Sequence, residues 1–348
     1  MSGFWSGKSV LVTGHTGFKG SWLSEILLTK GALITGLALS PKTENDLFCA
    51  AKLQKRVSHN VVDIRNKVKV EKLVLDAKPD VVFHLAAQPL VLPSYDEPRY
   101  TWETNVMGTV NLLEALRKNQ KRCTSVIITT DKVYENNGEQ TAFDECSQLG
   151  GHDPYSSSKA ATEIAVASWR RSFFDNDLGS VVTARAGNVI GGGDWASNRI
   201  VPDIVNSIHY QEILKVRDPA SVRPWQHVLE PLFGYIKLAE YVYGNKISSS
   251  IGSLNFGPSA SVVASVSNLI DKSSEIWGTP IRIQLQDKQK HEAELLMLES
   301  SRAGNLLGWQ QKWDFEMTVR KTIDWYKRFL AGACASSLMK EQIDEYVG

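Results

Sequence analysis

An α/β fold, a doubly wound parallel sheet covered by helices on both faces, is predicted by three observations. Short β-branched apolar runs alternate with helix-period segments through the first half of the chain. The runs are apolar on both sides, as strands buried on both faces must be. Glycine and proline mark the joins between the two periods.

Each element follows from its residues. Ser9-Val10-Leu11-Val12-Thr13 is the first strand, and Trp22, Leu23, Ile26 and Leu27 at helix spacing form the first helix, with Gly31 placed to end it. Residues 32–39 and 56–62 read as the second and third strands. Val70, Leu73, Val74 and Ala77 recur at i, i+3, i+4 and i+7 before Pro79 stops that helix. Val81-Val82-Phe83-His84-Leu85 is the fourth strand, followed by a helix carrying Trp102, Val106, Val110 and Leu113. Ser125-Val126-Ile127-Ile128-Thr129 is the fifth strand and Val181-Val182-Thr183-Ala184 the sixth. Right-handed crossovers then give the doubly wound sheet. Beyond Arg185 the pattern loosens around Gly191-Gly192-Gly193. We therefore expect residues 1–185 to form a dinucleotide-binding unit, to which later segments return, and 186–348 to be mainly a smaller, mixed substrate lobe.

The bulk properties exclude several classes. Lys and Arg number 39 against 38 Asp and Glu, for a net charge of +1, so no one-signed patch for nucleic acid or a membrane surface is expected. Cys49, Cys123, Cys146 and Cys334 are far apart, and His15, His84 and His227 lack ligand spacing, so neither a disulfide framework nor a metal site is expected. No leader-like or membrane-length apolar run is present, and the cytoplasm is the expected location.

Between the first strand and helix lies Gly14-His15-Thr16-Gly17-Phe18-Lys19-Gly20. Glycines there permit a tight turn and let the backbone approach a pyrophosphate at the helix N-terminus, which makes the sheet Rossmann-like. The acid usual after the second strand is missing: Leu39-Ser40-Pro41-Lys42 stands there, with Glu44 and Asp46 following, so NAD and NADP stay open on this feature. Asp63-Ile64, past the third strand, is positioned for the adenine, against the plainer reading of a solvated strand-end carboxylate.

Asp153-Pro154-Tyr155 starts a helix, with Asp153 as cap and Pro154 at its first position. Tyr155 and Lys159 then share one face, and the ammonium is expected to draw the phenol toward phenolate. Such a tyrosine takes a proton from a sugar hydroxyl as hydride leaves the same carbon. Thr129-Thr130-Asp131-Lys132 ends the fifth strand on the edge where ligands of such sheets bind. Arg199 and Arg223 are candidate diphosphate ligands, with a surface ion pair as the competing reading for each. Trp195 and Trp225 either stack on a base or plug the core.

Gly14 to Gly20, His84-Leu85-Ala86-Ala87, Asn105 in a Thr-Asn-Val-x-Gly-Thr helix and the Tyr155/Lys159 pair resemble the extended short-chain dehydrogenase/reductases, the NAD-dependent epimerase/dehydratase family, over nearly the whole chain. Within it, Thr130-Asp131-Lys132-Val133-Tyr134 resembles the Thr-Asp-Glu/Lys signature of nucleotide-sugar 4,6-dehydratases. Lysine in third place, Arg223-Pro224-Trp225-Gln226-His227-Val228 and Leu307-Gly308-Trp309 are similar to the branch acting on CDP-sugars. The resemblance implies CDP-glucose as substrate, a 4-keto-6-deoxy product for surface polysaccharide such as O-antigen, and a homodimer or homotetramer. It also implies NAD, held by the Gly14–Gly20 loop, Asp63, Ile64, Leu85, Ala86, Ala87, Asn105, Thr129, Tyr155 and Lys159. Gln88, Asn188, Arg199 and Arg223 are then substrate contacts. Thr130, Asp131, Lys132, Tyr155 and Lys159 are the implied catalytic set, with Asp131 the acid and Lys132 either the base or a partner for a hydroxyl or acid. An epimerase or decarboxylase of the same family, and a dinucleotide sensor, are the competing readings; the sensor is disfavoured by the retained tyrosine.

Overall fold

The computed structural model describes residues 3–138, 142–174, 178–245, 248–258, 263–286 and 296–348. Seven parallel strands form the main sheet: β1 (Ser9–Thr13), β2 (Leu33–Ala38), β3 (Ser58–Val61), β4 (Val81–His84), β5 (Cys123–Ile128), β6 (Gly179–Arg185) and β7 (Ser253–Asn255). Their order is β7-β6-β5-β4-β1-β2-β3. The predicted sheet is therefore present, and β7 joins it from late in the chain.

Alternation along each strand divides the core in two. Val10 and Val12, Phe83, Val126 and Val182 pack into one cluster, while Leu11, Val82, Ile127 and Val181 pack into the other. The first cluster lies under α1 (Phe18–Thr29), whose Trp22, Leu23, Ile26 and Leu27 are buried. The second lies under α2 (Lys67–Ala77) and α3 (Gly108–Asn119) through Val70, Val74, Leu112 and Leu116. Both faces of every central strand leave water, and this explains why the runs are continuously apolar.

Two local expectations differ. The helix predicted through Trp102 and Val106 is interrupted: Pro98–Trp102 is followed by one π-helical turn, Glu103–Met107, before α3. The extra residue in that turn leaves Trp102 42 % exposed and swings Asn105 inward to 1 %. The third strand is shorter than predicted, because Leu53–Lys55 turns as a 3₁₀ segment before it.

Beyond β6 the chain also forms short two-stranded pairs, among them Val222–Pro224 with Val263–Ser265 and Val189–Ile190 with Gln226–His227. Trp225 and Trp195 are plugs. Trp225 is buried with its indole N–H on the Ala264 carbonyl (3.1 Å), and Trp195 packs edge-on against Tyr326. The four cysteines are free thiols. Among the described residues, no helix is long and apolar enough to cross a membrane, and no cluster of His, Cys, Asp and Glu could hold a metal.

Candidate active site

β1 pairs with β2 on one side and β4 on the other, so the connections leave the sheet in opposite directions there. That reversal opens a crevice at the carboxyl ends of the strands. The turn after β1 and the end of β4 meet across it. Gly14 has φ +74°, and a Cβ there would lie 2.8 Å from the Ala86 nitrogen and 2.9 Å from the Leu85 carbonyl carbon. The two segments are stitched by Leu85 N–H to the Thr13 carbonyl and Ala86 N–H to Thr13 Oγ1, both 3.1 Å.

Gly17 is the N-cap of α1 and offers no side-chain cap; a Cβ there would meet only the Gly14 carbonyl oxygen, at 3.4 Å. The first-turn N–H groups of α1, which no helical carbonyl can satisfy, are thus left for an anion. A dinucleotide pyrophosphate fits that donor set.

Several side chains expected to touch the cofactor or substrate are committed elsewhere. His15 turns its ring between β2 and β3, where Nε2 hydrogen-bonds His59 Nδ1 at 2.7 Å. Burial, with His59 adding to it, lowers its pKa to about 4, so it is a neutral packing group. Thr16 Oγ1 donates to the Leu39 carbonyl (3.0 Å). Asp63 is gripped by Arg65, Nη2 to Oδ2 at 2.6 Å, which holds its carboxyl below the usual range, and Ile64 is buried under Gly108. The Asn105 amide accepts from Gln88 N–H (2.8 Å) and donates to Ser158 Oγ (2.8 Å). Gln88 donates to Thr101 Oγ1 (2.9 Å) and to the Leu90 carbonyl (3.0 Å), and Thr129 Oγ1 donates to Glu163 (2.5 Å). Sequence motifs locate these positions but not the direction of their side chains, which contacts made in the fold decide.

The catalytic candidates do converge. α4 (Pro154–Ser172) starts as predicted, with Asp153 accepting from Ser156 N–H at 3.0 Å, and it carries Tyr155 and Lys159, both buried. Thr130 follows β5 and caps the 3₁₀ turn Asp131–Val133. The Tyr155 and Thr130 hydroxyls lie near one another, and Thr130 Oγ1 donates to Asp131 Oδ1 (2.8 Å). Asn188 Nδ2 donates to Asp131 Oδ2 at 3.2 Å, and Lys132 Nζ lies 4.0 Å from Oδ1. Asn188 thus reaches the carboxylate at the centre of the site.

Charge in this cluster differs from the expectation for Tyr155. Burial pushes the phenol up to about 12, against the pull of the neighbouring Thr130 hydroxyl. Lys159 is itself lowered to about 8 by burial, against the pull of Glu163, and donates to the Ile128 carbonyl (3.3 Å). Loss of hydration outweighs the pull of Thr130 and Arg199 on the phenol, and the Lys159 ammonium does not offset it. Arg199 forms an ion pair with Asp194 (Nη1 to Oδ2, 2.7 Å) and acts electrostatically on Tyr155. Lys19 lies within the field of Arg199, Asp131 and Lys159; burial, then Arg199, lowers it to about 8. Arg223 sits on the Val222–Pro224 strand, its Nη1 donating to the Val222 carbonyl (2.8 Å).

A family model described as GDP-mannose 4,6 dehydratase matches residues 11–322. The chain belongs to this family. It is 41% identical to CDP-glucose 4,6-dehydratase of Salmonella typhimurium, over 99% of this chain and 97% of that one. It is 27% identical to dTDP-glucose 4,6-dehydratase of Neisseria gonorrhoeae, over 92% and 95% of the two chains. Its fold matches a UDP-glucose-4-epimerase of Stenotrophomonas maltophila with bound NAD and formylated UDP-arabinopyranose at a TM-score of 0.82 and 20% identity, covering 94% and 100%.

For this member of the GDP-mannose 4,6-dehydratase family, sequence reasoning passed over two residues of the site. At Gly187 a Cβ would fall 1.9 Å from Asp131 Oδ2, so only glycine lets that carboxylate occupy its place. Its signal was present in Arg185-Ala186-Gly187-Asn188, but only tertiary contact gives it meaning. Glu163, one turn past Lys159, belongs to none of the sequence motifs, yet it is 4 % exposed.

Proposed function

We propose that the protein dehydrates CDP-glucose to CDP-4-keto-6-deoxyglucose and water by internal redox with NAD. The observation that carries this reading is the cluster of Tyr155 with Thr130, which donates to Asp131, and Lys132 beside them: a proton acceptor for C4 oxidation, an acid and a candidate base at one site. An epimerase or decarboxylase on this scaffold uses the tyrosine and lysine and has no need of the other two. The Salmonella typhimurium relative supports CDP as the nucleotide.

NAD, when bound, supplies a hydride acceptor at C4 that gives the hydride back at C6, and its oxidised ring adds positive charge to the site. The Gly14–Gly20 turn would hold its pyrophosphate. Tyr155 takes the C4 hydroxyl proton, and Thr130 hydrogen-bonds the same oxygen. The ketone so formed acidifies the C5 proton, which Lys132, as a neutral amine, removes and gives back to C5 when the hydride reaches C6. Asp131, in its protonated form, delivers a proton to the C6 hydroxyl as the C6–O bond breaks and water leaves. Asn188 orients Asp131, and Arg199 is a ligand for the diphosphate. Arg223 is assigned to the same diphosphate from the lobe side.

Residues 1–185 are read as the NAD-binding unit and 186–348 as mainly the sugar-nucleotide lobe. The product suits deoxysugar synthesis for surface polysaccharide, in the cytoplasm. Trp102, Met107 and Ile164, exposed on neighbouring helices, are where a homodimer or homotetramer would pack.

The test is to incubate the protein with trace NAD and, separately, CDP-, dTDP-, GDP- and UDP-glucose, following each by mass spectrometry. Loss of one water from CDP-glucose is expected. An isomerised sugar of unchanged mass would replace this reading with the epimerase.

Two further outcomes are expected. Tyr155 needs the Lys159 ammonium, which is present below its pKa of about 8 and lost above it, so kcat should fall as pH rises through that value. A rate that stays flat to about pH 10 would take this part away from Lys159. Gly187→Ala should displace Asp131 and slow water loss by about 10²-fold, the scale of losing a positioned acid. Near-normal loss from a variant with an unchanged melting temperature would mean Asp131 can work from elsewhere.

A further inference from the structure

Glu163 has no part in the chemistry above, yet its buried carboxylate is fully engaged. Thr129 Oγ1 donates to Oε1 (2.5 Å) and Thr183 Oγ1 to Oε2 (2.7 Å), while Arg185 adds Nε to Oε1 (3.0 Å) and Nη2 to Oε2 (2.9 Å). Arg185 gives its remaining Nη1 to the Tyr134 hydroxyl (2.7 Å), and Tyr134 donates to Asn255 Oδ1 (2.8 Å). One carboxylate on α4 therefore ties together the ends of β5, β6 and β7. It also brackets the catalytic turn, with Thr129 before it and Tyr134 after it.

Stability alone does not require such a pair, because apolar residues of similar size often replace a buried ion pair without loss. Its location is the informative part. Lys159 and Glu163 are four residues apart on one helix, and so neighbours. On Lys159 bear Glu163 from its own helix, Lys19 from α1 and His84 from β4. Around Glu163 itself stand Arg185 on β6, and Lys159 and Arg170 on α4. Lys19 opposes a charge on Lys159. His84, lowered to about 3 by burial and then by Lys159, is neutral at working pH. Burial would raise the Glu163 carboxyl, but Arg185 and the two threonines hold it below the usual range, so it stays an anion.

We propose that Glu163 is a positioning residue that keeps Lys159 protonated while anchoring both ends of the Thr130–Lys132 turn. The inference rests on the activity proposed above for its meaning in turnover, but not for its test. Removing the anion destabilises the ammonium, so the Lys159 midpoint must move down.

The experiment is competitive labelling of the full-length protein with trace acetic anhydride across pH, reading Lys159 by peptide mass spectrometry. In Glu163→Gln the Lys159 midpoint should fall by about one pH unit, and the alkaline limb of water loss should move with it. Glu163→Asp, which keeps the charge, should restore most of the midpoint. A folded Glu163→Gln that titrates like the wild type overturns the proposal. Should that variant not fold, Glu163→Met/Arg185→Met removes the same anion without stranding a charge; a lowered midpoint supports the proposal and an unmoved one overturns it. Because labelling needs no substrate, failure of the CDP-glucose reading leaves this result standing. An active wild type with an unmoved midpoint in the variants sinks this inference alone.

Discussion

Tyr155→Phe is expected to reduce the release of water from CDP-glucose by about 10³-fold or more, at the upper end of what one positioned acid–base group contributes. The substitution removes one oxygen from a buried ring and leaves its packing intact. Losing a hydroxyl contact of this kind costs about 1 kcal/mol, so the fold should survive. Chemistry does not survive it, because the phenol is the group assigned to the C4 hydroxyl proton, while Asp131, which accepts from Thr130, is assigned to the C6 hydroxyl. Burial pushes this phenol up to about 12, so proton transfer at neutral pH leans on every nearby positive charge. Mass spectrometry of the sugar over long incubations, beside a thermal melt, reads both effects. Turnover at the wild-type rate would remove Tyr155 from the mechanism.

Asp131→Asn is expected to separate the two halves of the reaction. The amide keeps the size of the carboxylate, and its oxygen can still accept from Thr130, so the turn should hold. What it lacks is a proton to give the departing C6 hydroxyl. Oxidation at C4 should therefore proceed, visible as the fluorescence of reduced nicotinamide on mixing with substrate, while water loss slows by about 10² to 10⁴-fold. A variant impaired equally in both steps would make Asp131 a structural support of Thr130. Elimination at the normal rate would assign the acid elsewhere.

These two positions are legible in the amino-acid sequence, because each motif sits at a predictable strand end. The period change from strand to helix locates β5 and the start of α4, and the rule that ligands gather at the carboxyl edge brings Thr130 and Tyr155 together. The glycine turn after β1 is equally legible, since its main-chain geometry is a local matter. Less can be read where side-chain direction matters. Asn105, Gln88, Thr129 and His15 hold positions the motifs mark, but their side chains are bonded to the backbone or to Thr101, Glu163 and His59. Buried polar groups take whatever partner folding brings within reach, and a sequence does not order those partners.

The sequence by itself therefore determined the sheet, the dinucleotide turn and the catalytic types at their places, because periodicity and loop chemistry act over a few residues. Only the tertiary structure decided three things. It left room for Asp131 by the absent Cβ of Gly187, 56 positions along the chain by their numbers, 187 less 131. It turned the Asn188 amide onto that carboxylate. And it buried Glu163 among Thr129, Thr183 and Arg185, making an anchor of what a helix wheel presents as one more surface charge. All three depend on contacts between segments distant in sequence, where solvation and distance are set by the whole fold and by no local pattern.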